Sequence, residues 1–420
     1  MRTGRWMVKF SIITMVLSVS IIYTGAINAQ KRVVTFNSFH SDLVPRRVMT
    51  EVVKLFEQKH PDIRVDMSTT AHEDFKNAIR LWLTSNAPPD VFTWFAGERA
   101  KFFVDNRLIM DITDLWQDNK YDTLFPRAFK SLSVFNGKAS FIPQSWHWWG
   151  IWYRKSIFSQ YGVIAPRTWN EFLNVCEKFK GNGITPITIG TKYRWPAAGW
   201  FDYLNLRVNG RDFHMGLMAG EEKYTDPRLH KVFQIWKELI DKKYFLEDAA
   251  AYSWQEAVLF LLNGKAAMYL MGKFITDVIP EETQDDIDFF QFPIIDPFVP
   301  IVEDAPMDGF MASNKALHPE TARIFMDFQT SREAQELFNL KSGRVAANMQ
   351  IPGELYPPIA RKGIEMIKKA DSVTQFYDRD TTPPMADRGL NAFVEFMARP
   401  QTYKQILTRL DAVRKEIFKK

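Results

Sequence analysis

Between residues 33 and 67 the chain reads strand, helix, strand within 35 residues, and that order constrains the fold more than any other feature of the sequence. Val33-Val34-Thr35-Phe36 is a β-branched and aromatic run, followed by a polar loop over 37–43. Pro45 opens a helix whose apolar face is Val48, Val52, Leu55 and Phe56, and His60-Pro61-Asp62 stops it before a second strand at 63–67. Two strands joined through a helix lie parallel, with a right-handed crossover. The alternation continues through a helix carrying Phe75, Ile79 and Trp82, a break at Asn86-Ala87-Pro88-Pro89, and a strand at 90–95. The first ~110 residues therefore read as an α/β domain.

Further on, Thr168-Trp169-Asn170-Glu171 and Ser253-Trp254-Gln255-Glu256 fit the capping box, in which a hydroxyl caps a backbone N–H and the glutamate reaches back. From Gln401 the chain is amphipathic at Tyr403, Ile406, Leu407, Leu410, Val413 and Ile417, which predicts a docked terminal helix. Prolines at 293, 297, 300 and 306, at 357–358 and at 383–384 mark crossings or loops. With 420 residues and 46% apolar content, the chain has material for two or three cores.

Residues 1–29 read as a secretory signal, cleaved after Ala29. Arg2, Arg5 and Lys9 precede an apolar or hydroxylic stretch at 10–23, and small and polar residues follow. That stretch, at 1.5 Å per residue, is roughly 21 Å long, short of a ~30 Å hydrocarbon core. No cysteine sits at the cleavage point for lipid attachment, so the expected location is the periplasm. The 54 basic groups less these 3, against 49 acidic ones, leave a net charge of +2, which makes no case for nucleic acid as a partner. The single cysteine, Cys176, excludes an internal disulfide, and its place among Trp169, Phe172 and Phe179 predicts a buried apolar role.

No motif of catalysis or cofactor binding stands out. Gly181-Asn182-Gly183 lacks the third glycine of a dinucleotide loop, Asn263-Gly264-Lys265 lacks the upstream glycine of a phosphate loop, and there is neither a GxSxG nor an HExxH sequence. The acidic pairs Glu281/Glu282 and Asp285/Asp286 sit in a polar run that reads as a solvated face. The expectation is a protein without catalytic residues, metal or cofactor.

What stands out instead is aromatic residues where loops are expected. Trp146-His147-Trp148-Trp149-Gly150-Ile151-Trp152 holds four tryptophans in seven residues. Read as one strand, it puts Trp146, Trp148, Gly150 and Trp152 on one face and His147, Trp149, Ile151 and Tyr153 on the other. One face is then core and the other a stacking surface, unless both are buried in a two-sided sheet. Trp94-Phe95 follows a strand, Trp195 and Trp200 lie in Tyr193–Trp200, and Phe274 follows Gly272. Interspersed with Gln144, His147, Arg194 and Asp202, these residues describe flat apolar walls with hydrogen-bonding groups, complementary to a pyranose.

The order and spacing of several segments resemble the extracellular solute-binding proteins of bacterial ABC importers, in particular the maltose-binding-protein-like carbohydrate family. The segments are Phe56-x3-His60-Pro61-Asp62-Ile63-x-Val65, Pro89-Asp90-Val91-Phe92-Thr93-Trp94, the run 108–115, Gly150-Ile151-Trp152-Tyr153-Arg154-Lys155, Pro166-Arg167-Thr168-Trp169-Asn170-Glu171-Phe172, Gly264-Lys265-Ala266-Ala267-Met268 leading to Gly272, and the stretch from Gly309 to Phe328. The resemblance implies a two-lobe α/β periplasmic-binding-protein fold of type II, with hinge strands and a cleft. The N lobe is expected at 30–142 plus 300–341 and the C lobe at 143–299 plus 342–420. It implies a monomer that holds a carbohydrate, a di- or oligosaccharide, and hands it to the membrane permease subunits.

Positions carry over one at a time. Trp94 matches an N-lobe aromatic of the family, and Glu98 a polar contact; Ala96 departs from the pattern and cannot accept a hydroxyl. Trp195 falls at a C-lobe aromatic. Phe274 stands where a tryptophan usually follows the Gly272 turn, which keeps the stacking and loses the N–H donor. The stretch from Gln144 through Trp146 and His147 to Trp148 lies at the first lobe crossing, Asp308 near the second, and Arg344 near the third, where it binds an acidic sugar or ties the hinge to a carboxylate. Asp380 lies in a segment that some members place beside the pocket, and His40, Asp42 and His72 follow strand ends facing the cleft. Two alternatives stay open: a receptor for a small polar or anionic ligand such as a polyol, glycerol phosphate or polyamine, and a secreted glycan-processing enzyme.

Overall fold

The computed structural model describes residues 1, 3, 4 and 31–419. The expected signal segment lies outside them, apart from Met1, Thr3 and Gly4. Among the described residues, no helix is long and apolar enough to cross a membrane.

Two sheets organise the molecule. The larger has six strands, in the spatial order Val345–Ala346, Ile142–Trp146, Met307–Ala312, Val91–Phe95, Arg32–Ser38 and Ile63–Thr69. The first strand–helix–strand unit forms as its sequence predicts: Arg32–Ser38 pairs parallel with Ile63–Thr69 through the helix Leu43–Lys59, and also parallel with Val91–Phe95. Val91–Phe95 is buried at every position because helices cover both faces of this sheet. Val34, Phe36 and Phe310 point into a core with Val48, Phe56 and Phe325. Phe92, Trp94 and Met311 point into a second core with Phe75, Ile79 and Phe103.

The smaller sheet has four strands, in the order Ile287–Phe290, Trp149–Arg154, Ala266–Gly272 and Thr185–Ile187. Its core is built on Trp148, Trp152, Trp200 and Trp236. Both capping boxes are present, at the starts of Trp169–Gly181 and Trp254–Leu262. Cys176 is buried on the first of these helices, and the terminal helix runs Tyr403–Ile417.

The chain passes between the sheets three times. Ile142–Trp146 belongs to the larger sheet and Trp149–Arg154 to the smaller, so His147 and Trp148 form a crossing and the predicted single strand is two. The second passage runs through Val302–Asp304, which pairs parallel with Ser372–Thr374, and the third follows Val345–Ala346 and leads to the helix Pro358–Lys369 on the smaller-sheet core. The expected lobe boundary at 143 falls inside Ile142–Trp146, and Val345–Ala346, beyond the one at 342, pairs into the larger sheet. The first two crossings are bonded to each other, His147 N–H donating to Pro306 O at 3.2 Å, and Met307 N–H donates to Gln375 Oε1 at 3.1 Å.

The two acids that end Val302–Asp304 are buried in different company. Glu303 is ion-paired with Arg207 and accepts from Tyr203 Oη at 3.0 Å and Gln291 Nε2 at 2.9 Å. Asp304 accepts from Thr374 Oγ1 at 2.6 Å, and its Oδ2 has no hydrogen-bond partner among the described residues; nor has Oδ1 of the nearby Asp202. Burial pushes both aspartates above the usual carboxylate range, with the charge of Asp304 adding to it at Asp202 and those of Asp380 and Glu303 adding to it at Asp304. Unfolded, an aspartate titrates near 3.9, so Asp304 costs stability above about pH 4, and the cost grows until the folded value is reached. Asp304→Asn is therefore expected to raise the melting temperature relative to the native chain, with a gain that increases from about pH 5 to about pH 7. Calorimetric scans across that range check it; a gain independent of pH would mean that the carboxylate does not titrate there.

Candidate functional site

A cavity of about 100 Å³ lies where the carboxyl ends of the parallel strands face the smaller sheet. Open α/β sheets present ligands at this edge, because loops leaving the strand ends diverge there. From the larger sheet come Phe39, His40 and Asp42 after strand Arg32–Ser38, His72 and Lys76 on helix His72–Thr84, Phe95 at the end of its strand, and Arg99 on helix Glu98–Asp105. Trp149, Trp195, Trp254, Phe274 and Phe376 face them from the other side, with His147 at the crossing.

Aromatic rings define both walls. Phe39 and Phe95 stack, with centroids 5.0 Å apart and planes at 15°. Opposite, Trp149 and Phe376 stack at 4.8 Å and 19°. Trp195 meets Trp149 edge-on at 5.9 Å, and Phe274 meets Trp254 edge-on at 5.3 Å. Gly272 lets Phe274 fold back into this group, since a Cβ there would lie 2.3 Å from the Phe274 ring.

The charges in the cavity are matched. Four carboxylates (Asp42, Asp277, Asp308, Asp378) face four cations (Lys76, Arg99, Arg344, Arg379). Arg379 Nη1 donates to Asp308 at 2.9 Å, Arg344 Nη2 to Asp277 at 2.8 Å and Arg99 Nη2 to Asp378 at 2.5 Å, while Lys76 pairs with Glu73 at 2.7 Å. Asp42 stands apart; burial and the nearby Asp277 raise its pKa. Burial holds His40 at a pKa of about 3 and places His72 and His147 well below the usual imidazole value, with neighbouring cations adding to the shift. All three rings are neutral at physiological pH, each able to donate once and accept once. Neither ring nitrogen of His147 has a partner among the described residues, and the same holds for Trp149 Nε1 and Arg344 Nη1. Buried polar atoms without partners are rare in native folds, so these mark positions where a ligand or water completes the bonding.

The segment 375–380 roofs the cavity. Asp380 Oδ2 accepts from Gln375 N–H at 2.8 Å and Phe376 N–H at 3.3 Å, which fixes the turn that aims Phe376 at Trp149. Burial pushes the Asp380 carboxyl up to about 7. Asp378 and Arg379 then reach Arg99 and Asp308 on the larger-sheet side, and Trp195 Nε1 donates across the gap to Glu73 at 3.1 Å.

Among the residues singled out from sequence, His40, Asp42, His72, His147, Trp195, Phe274, Asp308 and Arg344 line this cavity. The others do not. Trp148 is fully buried against Phe289, under the helix Pro358–Lys369, where a Cβ on Gly363 would come within 2.1 Å of its ring. Trp200 packs against Phe245 and Phe292 in the smaller-sheet core. Trp94 packs between Phe75 and Phe103, and Trp146 is wedged between the cores. Gln144 stands behind His40, its Oε1 3.2 Å from the ring Nε2. Glu98 begins the helix that carries Arg99 but does not itself line the cavity, Gly272 makes room for Phe274, and Asp380 shapes the roof. Arg194 binds Asp387, and Asp202 is buried, accepting from Tyr377 N–H.

The alternation read at the tryptophan run holds from 148 to 152, and the core face is the one that carries Trp148 and Trp152, which both meet Phe289, while Trp149 faces the cavity. Trp254 escaped notice because it occupies the first position of a capped helix, and Phe376 because it is isolated in a polar stretch. Trp148→Ala is expected to cost about 3–5 kcal/mol of stability, the range for emptying an aromatic site in a core. Denaturant unfolding measures it; a stable variant would place the ring outside the core.

The fold is shared with known proteins. The family described as bacterial extracellular solute-binding protein matches residues 41–336. An uncharacterized ABC transporter extracellular-binding protein of Pyrococcus horikoshii is 27% identical over 379 residues, 87% of this chain and 84% of that protein. The multiple sugar-binding protein of Streptococcus mutans is 21% identical, over 80% and 81% of the two chains. Among solved structures, the bacterial solute receptor AcbH, described as having an exclusive substrate preference for β-D-galactopyranose, superposes with a TM-score of 0.88 at 32% identity, covering 92% of this chain and 100% of that one.

Proposed function

The chain belongs to the bacterial extracellular solute-binding proteins of ABC transporters, and from that premise we propose that it is a monomeric, non-catalytic receptor that encloses one neutral pyranose between Trp149/Phe376 and Phe39/Phe95 and presents it to a sugar permease. The observation that carries the reading is the set of unpartnered atoms on His147, Trp149 and Arg344 beside a cavity whose cations are all matched by carboxylates. A neutral imidazole offers one donor and one acceptor, which suits a hydroxyl; the flat rings suit the C–H faces of a sugar. A compact anion would call for a free cation, and Lys76, Arg99, Arg344 and Arg379 are each engaged. This disfavours glycerol phosphate, and Arg344 serves as a tie to Asp277.

Size favours one sugar ring over a chain of them. The space between the walls is about 100 Å³, and the paired rings on either side leave a slot suited to a single ring with its hydroxyls. The likeness to AcbH makes β-D-galactopyranose the first sugar to try. A sugar that touches both sides favours the closed arrangement, and one bound equally to open and closed forms would shift nothing.

Titration of the intrinsic tryptophan fluorescence with galactose, glucose, xylose and a galactose disaccharide tests the proposal. One monosaccharide is expected to saturate the signal at one equivalent and to be recovered chemically unchanged; preference for the disaccharide, or turnover, would overturn it. His147→Leu separates recognition from folding. The ring nitrogens have no protein partner to lose, so the melting temperature is expected to hold or rise. Sugar affinity is expected to fall by about 1–3 kcal/mol. Unchanged affinity would remove His147 from the ligand contacts.

A further inference from the structure

A second and larger recess, of about 500 Å³, opens between the same two halves. It shares Lys76, Arg99, Trp195 and Asp378 with the inner cavity, so a single layer of side chains separates the two. The chemistry differs. The carboxylates lining the recess are taken: Glu73 by Lys76 and Trp195, Asp378 by Arg99, and Asp387 by Arg194. Two cations are not. Arg80, on helix His72–Thr84, and Arg388, on helix Pro383–Ala398, line the recess from opposite halves; both are exposed to solvent, and their guanidinium groups have no hydrogen-bond or ion-pair partner among the described residues.

Arg80 is also held in place. Its guanidinium lies 4.6 Å from the centroid of the Phe102 ring, which supports one face of the plane and leaves the edge N–H groups free to donate. Burial and the neighbouring Arg99 work against its charge, and Asp387 across the recess offsets only part of that. A stacked guanidinium with open edges, in a recess that a second unpaired arginine also lines, fits the planar and tetrahedral oxyanions that arginine binds through paired N–H donors.

We propose that the outer recess is an oxyanion site, in which a carboxylate, sulfate or phosphate group bridges Arg80 and Arg388 and draws the two halves together. The group can arrive as a free inorganic anion or as the acid function of a glycan. In either case it contacts both halves only when they are closed, so it and the inner ligand strengthen each other's binding reciprocally.

Sodium sulfate and sodium phosphate, titrated against the full chain without sugar at ionic strength matched by sodium chloride, provide the direct test. A saturable response beyond the chloride control is expected, and it is expected to vanish in Arg80→Gln and in Arg388→Gln. In a second arm, which rests on the sugar reading, sulfate raises the affinity for the monosaccharide roughly fivefold or more in the native chain and leaves both variants unchanged. If the inorganic anions are silent but a uronic-acid disaccharide binds more tightly than its neutral counterpart, and the variants erase the difference, the site takes a glycan acid. Silence in every arm, or a response that both variants keep, overturns the site. Because the first arm contains no sugar, failure of the sugar reading leaves it unaffected.

Discussion

Two ion pairs of opposite polarity cross the gap between the sheets, and the shape of the site depends on them. Asp378 meets Arg99, and the next residue, Arg379, meets Asp308. With charges of opposite sign on adjacent residues, a slip of the roof by one position would set like against like, so the pairs specify register as well as attraction. All four side chains are at least four-fifths buried, and a buried pair is weak evidence of net stability because desolvation offsets much of the Coulomb gain. What it does enforce is that neither partner is left alone. Gly97 lets the roof descend this far: at φ +81°, it leaves room for Arg379 O, which a Cβ would approach to 2.3 Å.

The same neutralisation gives the cavity its character. Each arginine lining it already has its carboxylate, and burial keeps the histidines uncharged, so the polar atoms left over are the His147 ring nitrogens, Trp149 Nε1 and one nitrogen of Arg344. Stacked rings on both walls complete a surface suited to a flat, hydroxylated, neutral molecule. The recess outside has the reverse economy, with its acids engaged and two guanidinium groups open. One layer of side chains thus separates two environments of different charge balance, both lined from the two halves.

Much of the fold was legible because it is local. The first strand–helix–strand unit, the capping boxes at Thr168 and Ser253, buried Cys176 and the terminal helix all rest on side-chain spacing over one or two turns, and each is present. The candidate site was legible where a residue sits at a strand end, as with His40, Asp42 and Phe274. It was not legible at Trp148 and Trp149, which are neighbours of the same type. Alternation puts them on opposite faces, but which face is covered depends on Gly363, some two hundred residues away. Trp94 and Trp200 failed for a related reason: a tryptophan near a strand end or helix start is equally compatible with core and cavity until its neighbours are known.

From sequence alone came the α/β class, the parallel pairing of the first strands, the lack of catalytic and phosphate-binding motifs, and a resemblance whose family the comparisons bear out. These follow from periodicity, from turn chemistry and from the order of short segments, all of which the chain carries within itself. Tertiary structure decided which indole faces the gap, which arginine is matched by a carboxylate and which is not, and how the roof over 375–380 is aimed. Those are relations between side chains far apart in the chain, and packing, burial and charge compensation exist only once the two sheets have been brought face to face.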